Sequence, residues 1–334
     1  MMSRNVSDPN YSLMSVRDFF GGSDHVRFVI IIYIFISFIF NIFNFVVVGI
    51  IYCKTKKINL GILVTSGILF VNFSHTFAYF FQWVIKSDDV ITKTIEGIEV
   101  GALLTGNPTH FFACTAQAFI LISTSISQDF IINIFFYMIT KDEEDLKKKL
   151  IIICLIILGV IFPICFTLFY LIEGALGIND KFCYVSKFKF NITNNYVEYK
   201  SYDNFELFVM IIYAIRVVNF FVTFFFLIKI IKYVKAQNES KIYIFKSIII
   251  PIIQLFTIFI GVLYRLVNII SPTNSQISWI YLVLNTSDGV LFPIIFMFLN
   301  NVFQSLKYIF SKEIDFKENN NNRLMGDKEC EDDE

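Results

Sequence analysis

The stretch that decides the fold is LIIICLIILGVIFPICFTLFYLI, Leu150 to Ile172, which contains no charged residue from end to end. A helix must run for about 20 mostly apolar residues to cross a bilayer, because in hydrocarbon each peptide group has to find its hydrogen bond within the segment. This stretch meets that demand outright. Six others follow the same pattern: Val26 to Tyr52, Ile58 to Ile85, Phe111 to Ile139, Phe205 to Ile231, Ile242 to Ile270 and Ile277 to Asn300. The second is diluted by Asn72, Ser74 and His75, and the last by Asn285 to Asp288. The expected fold is therefore an all-α membrane protein, a seven-transmembrane helix bundle.

Composition agrees. Across 334 residues the chain is 56% hydrophobic and 17% charged, with a mean hydropathy of +0.64, too apolar for a water-soluble domain of this length. Formal net charge is +0, so no overall basic field argues for nucleic acid. Residues 1–25 are polar and lack the basic start and small-residue cleavage site of a signal peptide, so the first helix is expected to act as an uncleaved anchor.

Orientation follows from short loops, which retain Lys and Arg on the cytosolic side. Lys54, Lys56 and Lys57 follow the first run; Lys141 and Lys147 to Lys149 follow the third; Lys229, Lys232, Lys235 and Lys241 flank the connection after the fifth. The third outer loop, Ser271 to Gln276, has no basic residue, whereas the long second outer loop carries Lys181, Lys187, Lys189 and Lys200. This places the N-terminus outside. Glycosylation triplets at Asn5, Asn10 and Asn191 then fall on the outer side. After the seventh run, residues 301–310 (NVFQSLKYIF) place Val302, Phe303, Leu306, Ile309 and Phe310 on one helical face, the pattern of a short amphipathic interfacial helix. Residues 311–334 read as a disordered cytosolic tail.

Cys114 at the outer end of the third run and Cys183 in the second outer loop both face the oxidising side and are expected to be bonded. Such a bridge would fold the loop across the mouth of the bundle. Cys154 and Cys165, inside the fourth run, read as small core residues. Three scattered histidines and no Cys-x-x-Cys spacing exclude a zinc site, and no metal or cofactor is expected.

Ionisable groups within apolar helices are costly unless they face the bundle interior or a partner, so they mark function. Asp129, Arg216, Arg265 and Asp288 are such groups. Arg216 has two prospective partners, Asp288 and Asp129, and either pair would make an internal lock that ligand or partner binding rearranges. Arg265, with Tyr264 and Asn268 on the same outer part of the sixth run, is placed to meet a ligand, with Arg216 as a further candidate contact, and an anion would be the natural complement. Pro163, Pro251 and Pro293 interrupt the fourth, sixth and seventh runs; Pro251 and Pro293 are candidate hinges.

Seven helices, an outer bridge from the third helix to the second outer loop, prolines in the sixth and seventh, and an amphipathic eighth helix resemble the G-protein-coupled receptor superfamily. Within it, CTAQAFILISTSISQDFIINIFFYMI, Cys114 to Ile139, is similar to the third helix of the cyclic-AMP receptor-like family (class E), and NTSDGVLFPIIFMFLNN to its seventh. The chain departs from that pattern in ending the third helix FFYMITK, without an acidic-Arg pair, and in carrying Asp129 where an aromatic is usual. The resemblance implies a plasma-membrane receptor for an extracellular ligand such as a cyclic nucleotide, coupled to a heterotrimeric G protein and without catalysis. A frizzled- or smoothened-like receptor is the nearest alternative, although residues 1–25 contain no Cys and the region after the seventh run no Trp. A retinal protein is excluded because the seventh run has no Lys for a Schiff base. A transporter remains as a rival of another class, since buried charges and Gly or Pro breaks also mark substrate paths.

Overall fold

The structure is a computed structural model, and it describes residues 11–15, 24–55, 60–83, 89–95, 98–105, 112–140, 148–179, 182–186, 188–193, 196–201, 205–236, 241–270 and 290–295. The described chain is predominantly helical. Its helices are α1 (Asp24–Thr55), α2 (Leu60–Trp83), α3 (Phe112–Ile139), α4 (Lys148–Ile172), α5 (Phe205–Ala236) and α6 (Lys241–Ile270), with a further helical stretch over residues 290–295. Four of them, α1, α3, α4 and α5, are long and apolar enough to cross a membrane. The amphipathic segment at 301–310, the tail beyond it, and the seventh run apart from residues 290–295 lie outside the described residues.

The helices are dressed for hydrocarbon. Large apolar side chains such as Phe35, Ile39, Ile153, Ile157, Phe169, Phe221 and Phe225 point away from the bundle, whereas Ser37, Asn41, Asn72, Gln117, Asp129 and Asn219 are buried within it. A water-soluble domain has the opposite arrangement. The apolar windows of α1, α4 and α5 are each 22% buried and that of α3 is 72% buried. Helix α3 is thus the central post. Lipid tails are as apolar as leucine, so its hold on its neighbours rests on close packing and interhelical hydrogen bonds rather than on exclusion from water.

Two apolar clusters sit at opposite ends of this post. One gathers Ala78, Tyr79, Cys114, Leu121, Ile122, Tyr170, Phe208, Ile212 and Tyr264. The other gathers Val64, Ile68, Ile131, Ile132, Phe136, Ile230, Ile250 and Phe292. The end of α2 thus meets the start of α3, and the start of α2 meets the end of α3, so the two helices run antiparallel.

Helix α4 changes register midway: Ile157–Ile161 form a π-turn immediately before Pro163. Proline has no amide hydrogen and its ring crowds the carbonyl four residues back, which here is that of Gly159. That carbonyl is recruited by α3, whose Ser127 hydroxyl donates to it. Gly159 also permits the close approach, because a Cβ there would stand 2.8 Å from Ile131 Cγ1. Cys165 is exposed and Cys154 only half-buried, so neither is the core residue the apolar run implied; the unwound turn and the helix's large outward face put Cys165 on the surface.

Helix α4 closes in a Schellman turn. Gly174 adopts φ 62°, its amide donates to the Leu171 carbonyl at 2.9 Å, and the Ala175 amide donates to that of Tyr170 at 2.9 Å. The chain passes from there directly into a hairpin of β4 (Leu176–Asn179) and β5 (Phe182–Val185), paired antiparallel with Ile178 opposite Cys183. Five further strands make a separate sheet: β1 (Tyr11–Ser15), β2 (Asp89–Ile95), β3 (Ile98–Thr105), β6 (Phe188–Thr193) and β7 (Tyr196–Ser201), in the order β1-β2-β3-β6-β7. Only β3 and β6 pair parallel. These strands are an addition to the all-helical architecture that the apolar runs imply.

Candidate functional site

At one end of the bundle the β4–β5 hairpin is bolted to α3. Cys114 and Cys183 form a disulfide with Cα atoms 5.3 Å apart, and the Cys183 amide donates to Gln117 Oε1 at 2.9 Å, one turn further along α3. Ala175, Leu176, Ile178, Cys183, Val185 and Ser186 are all buried, so the hairpin is a packed roof rather than a loose loop. It rests on the same cluster that holds Tyr79, Phe208 and Tyr264.

Beyond that cluster lies the ion pair. Arg216 Nε on α5 stands 3.4 Å from Asp129 Oδ2 on α3, with side-chain exposures of 9% and 1%. Gln254 on α6 donates from Nε2 to Asp129 Oδ1 at 2.6 Å. One carboxylate therefore joins three helices. Among the described residues, each partner comes from a helix with no other charge in its buried part, and charge in an apolar interior is tolerated only because the opposite charge and an amide donor meet it. Of the two carboxylates open to Arg216 in the sequence, the structure pairs it with Asp129; Asp288 lies outside the described residues. Asn5 and Asn10 do as well.

About one turn along the post is a second polar rung. Asn133 Nδ2 donates to Asn219 Oδ1 at 2.9 Å, and the Thr223 hydroxyl donates to Asn133 Oδ1 at 2.9 Å. Asn219 Nδ2 in turn donates to the Ile215 carbonyl at 3.0 Å. Both rungs tie α3 to α5 on the face away from α2. On the α2 side, His75 Nδ1 is 3.0 Å from Thr124 Oγ1. The threonine hydroxyl already donates to the Ile120 carbonyl at 2.6 Å, so the imidazole Nδ1–H must be the donor in this bond.

The remaining sequence candidates spread along the bundle. Tyr264 is buried under the roof. Arg265 and Asn268 belong to α6, about three and four turns from Gln254, or roughly 16 Å and 21 Å along the helix. The structure therefore does not bring Arg265 to the ion pair, and Arg216, assigned both ligand contact and lock from sequence, is engaged by Asp129. Pro251 is buried within α6, three residues before Gln254. Pro293 lies in the helical stretch 290–295, where its carbonyl accepts from Asn44 Nδ2 of α1 at 3.3 Å. Asn191 lies in β6, opposite Glu198 of β7. Among the described residues no three His, Cys, Asp or Glu side chains come together as metal ligands would.

Sequence reasoning missed Gln254, the Asn133–Asn219–Thr223 rung and the Ser127–Gly159 bond. The signal for each was an uncharged polar residue in a helix, which is weaker than that of a charge. Compared with known proteins, the chain matches no protein-family model and no curated protein.

Proposed function

We propose that this chain is a plasma-membrane receptor of seven transmembrane helices, N-terminus outside, which senses an extracellular ligand in the half of the bundle beneath the disulfide-bound hairpin. Occupancy is relayed by helix rearrangement to a heterotrimeric G protein on the cytosolic side. The observation that carries this reading is the buried Asp129–Arg216–Gln254 cluster, a single carboxylate on which α3, α5 and α6 converge. Such a cluster has two discrete states, closed or broken, and a bistable contact is what a relay between two sites requires. Pro251 supports the same reading, because a helix that lacks one backbone hydrogen bond bends there at low cost. A bend beside Gln254 would move the Lys241 end of α6 and open a cytosolic crevice. Arg265 and Asn268, roofward of the cluster, are the proposed ligand contacts together with Tyr264, and an anion such as a cyclic nucleotide suits them. The resemblance to cyclic-AMP receptor-like receptors points the same way. Asn5, Asn10 and Asn191 are the proposed glycosylation sites.

The test is guanine-nucleotide exchange on added G protein, measured in membranes containing the chain against a ligand panel that begins with cyclic nucleotides and other small anions. Ligand-dependent exchange, together with raised basal exchange in Asp129→Asn, is the expected result. Absence of both from membranes with normal surface expression refutes the proposal. The buried ion pair also favours a second reading, a transporter whose substrate path crosses it; isotope uptake into vesicles without any exchange activity would select that reading instead.

A further inference from the structure

Opposite the ion pair, on the α2 face of α3, the structure leaves buried donors without partners. Two contacts fix how the helices face each other: His75 meets Thr124 at 3.0 Å, and a Cβ on Gly67 would be 3.9 Å from Ile131. Since α2 and α3 run antiparallel, Asn72 and Gln128 fall at the same level between these two rungs. Both are buried, Asn72 at 1% exposure and Gln128 at 6%. Asn72 Nδ2 and Gln128 Nε2 have no hydrogen-bond partner among the described residues. Leaving an amide unpaired in a low-dielectric interior costs more than its bond would contribute in water, so two such donors at one level of the bundle are not a resting arrangement.

We infer that Asn72 and Gln128 hold ordered water between α2 and α3. Water is the ligand because it both donates and accepts. It satisfies these groups whichever way each amide is turned. A charged ligand would need a counter-charge, and the buried cation described nearby, Arg216, faces Asp129 on another side of α3. A buried water is held by two to four polar partners, and the two amides fall within that range.

The experiment uses the full chain in nanodiscs. Selective labelling of side-chain amides permits cross-relaxation from long-lived water to the Asn72 and Gln128 NH₂ groups to be read directly, with assignment by Asn72→Leu and Gln128→Met. Cross-peaks at both amides, each lost in its own variant, are expected. The thermal midpoint should fall in each single variant by about 2–4 °C, because a bridging water loses a partner. Leucine or methionine variants that are more stable than the parent would mean that the amides were truly unpaired and would overturn the inference. A stability loss without water cross-peaks would also overturn it, assigning the acceptor to another protein group.

Discussion

Replacing Asp129 by Asn removes one charge while keeping a side-chain carbonyl to accept from Gln254, so it isolates the contribution of the ion pair. The guanidinium Nε is 3.4 Å from the carboxylate oxygen, a separation worth about 5 kcal/mol at an effective dielectric near 20. Arg216 is left with its side chain 9% exposed and no local means of regaining solvent. Breaking a buried pair from one side costs about 3–5 kcal/mol in such settings, and we expect at least about 3 kcal/mol here. Replacing both partners by apolar residues of similar volume, Asp129→Leu with Arg216→Met, should recover most of that loss, since the desolvation cost of both ions disappears together. Equilibrium unfolding of the detergent-solubilised chain, completed as a double-mutant cycle, reads the coupling. Single variants that each cost less than about 1 kcal/mol, with effects that add in the double, would refute the claim that this pair holds α3, α5 and α6 together.

Other contacts give further expectations. Gly159→Ala places a methyl 2.8 Å from Ile131 Cγ1 and should destabilise by about 1–3 kcal/mol through overpacking; Gly67→Ala, whose added Cβ finds Ile131 at an ordinary 3.9 Å, is the control, with both read by thermal unfolding. Cys114→Ser frees a bridge with a sequence separation of 69 and should cost about 4 kcal/mol if chain entropy governs it, with a mobility shift on non-reducing gels vanishing at the same time. Gly174→Ala forces a methyl into the left-handed region at φ 62° and should cost about 1–2 kcal/mol, visible as a lower thermal midpoint. Thr223→Val removes the donor to Asn133 Oδ1 and leaves that oxygen buried, for an expected loss of about 1–3 kcal/mol in the same assay.

Hydrocarbon thickness is written into a sequence as length, and this is why the helices were legible before the structure: α4 ends at Ile172 and α6 at Ile270, where the apolar runs stop. Charges inside such runs were legible for the same reason. What hydropathy does not carry is the rotation of each helix about its axis. That rotation gives Arg216 to Asp129 and makes Gln254 the third member of the cluster, while Arg265, an equally conspicuous charge, lies three turns away. The strands had a local signature of a different kind. Asp89 to Ile95 is rich in β-branched residues, and Glu96-Gly97 separates it from β3 as a two-residue hairpin connection would. Between two strong apolar runs that segment reads as a loop. Gly159, Pro163 and Ser127 were visible one at a time; their joint role depends on α3 passing close enough to reach a carbonyl that only proline sets free.

The receptor reading requires an odd number of crossings, with the two ends of the chain on opposite faces of the membrane. Epitope tags at Met1 and Glu334, probed by antibody in intact and then in permeabilised cells, measure this directly. The account predicts labelling of the first tag without permeabilisation and of the second only after it. Tags accessible from the same side would contradict it.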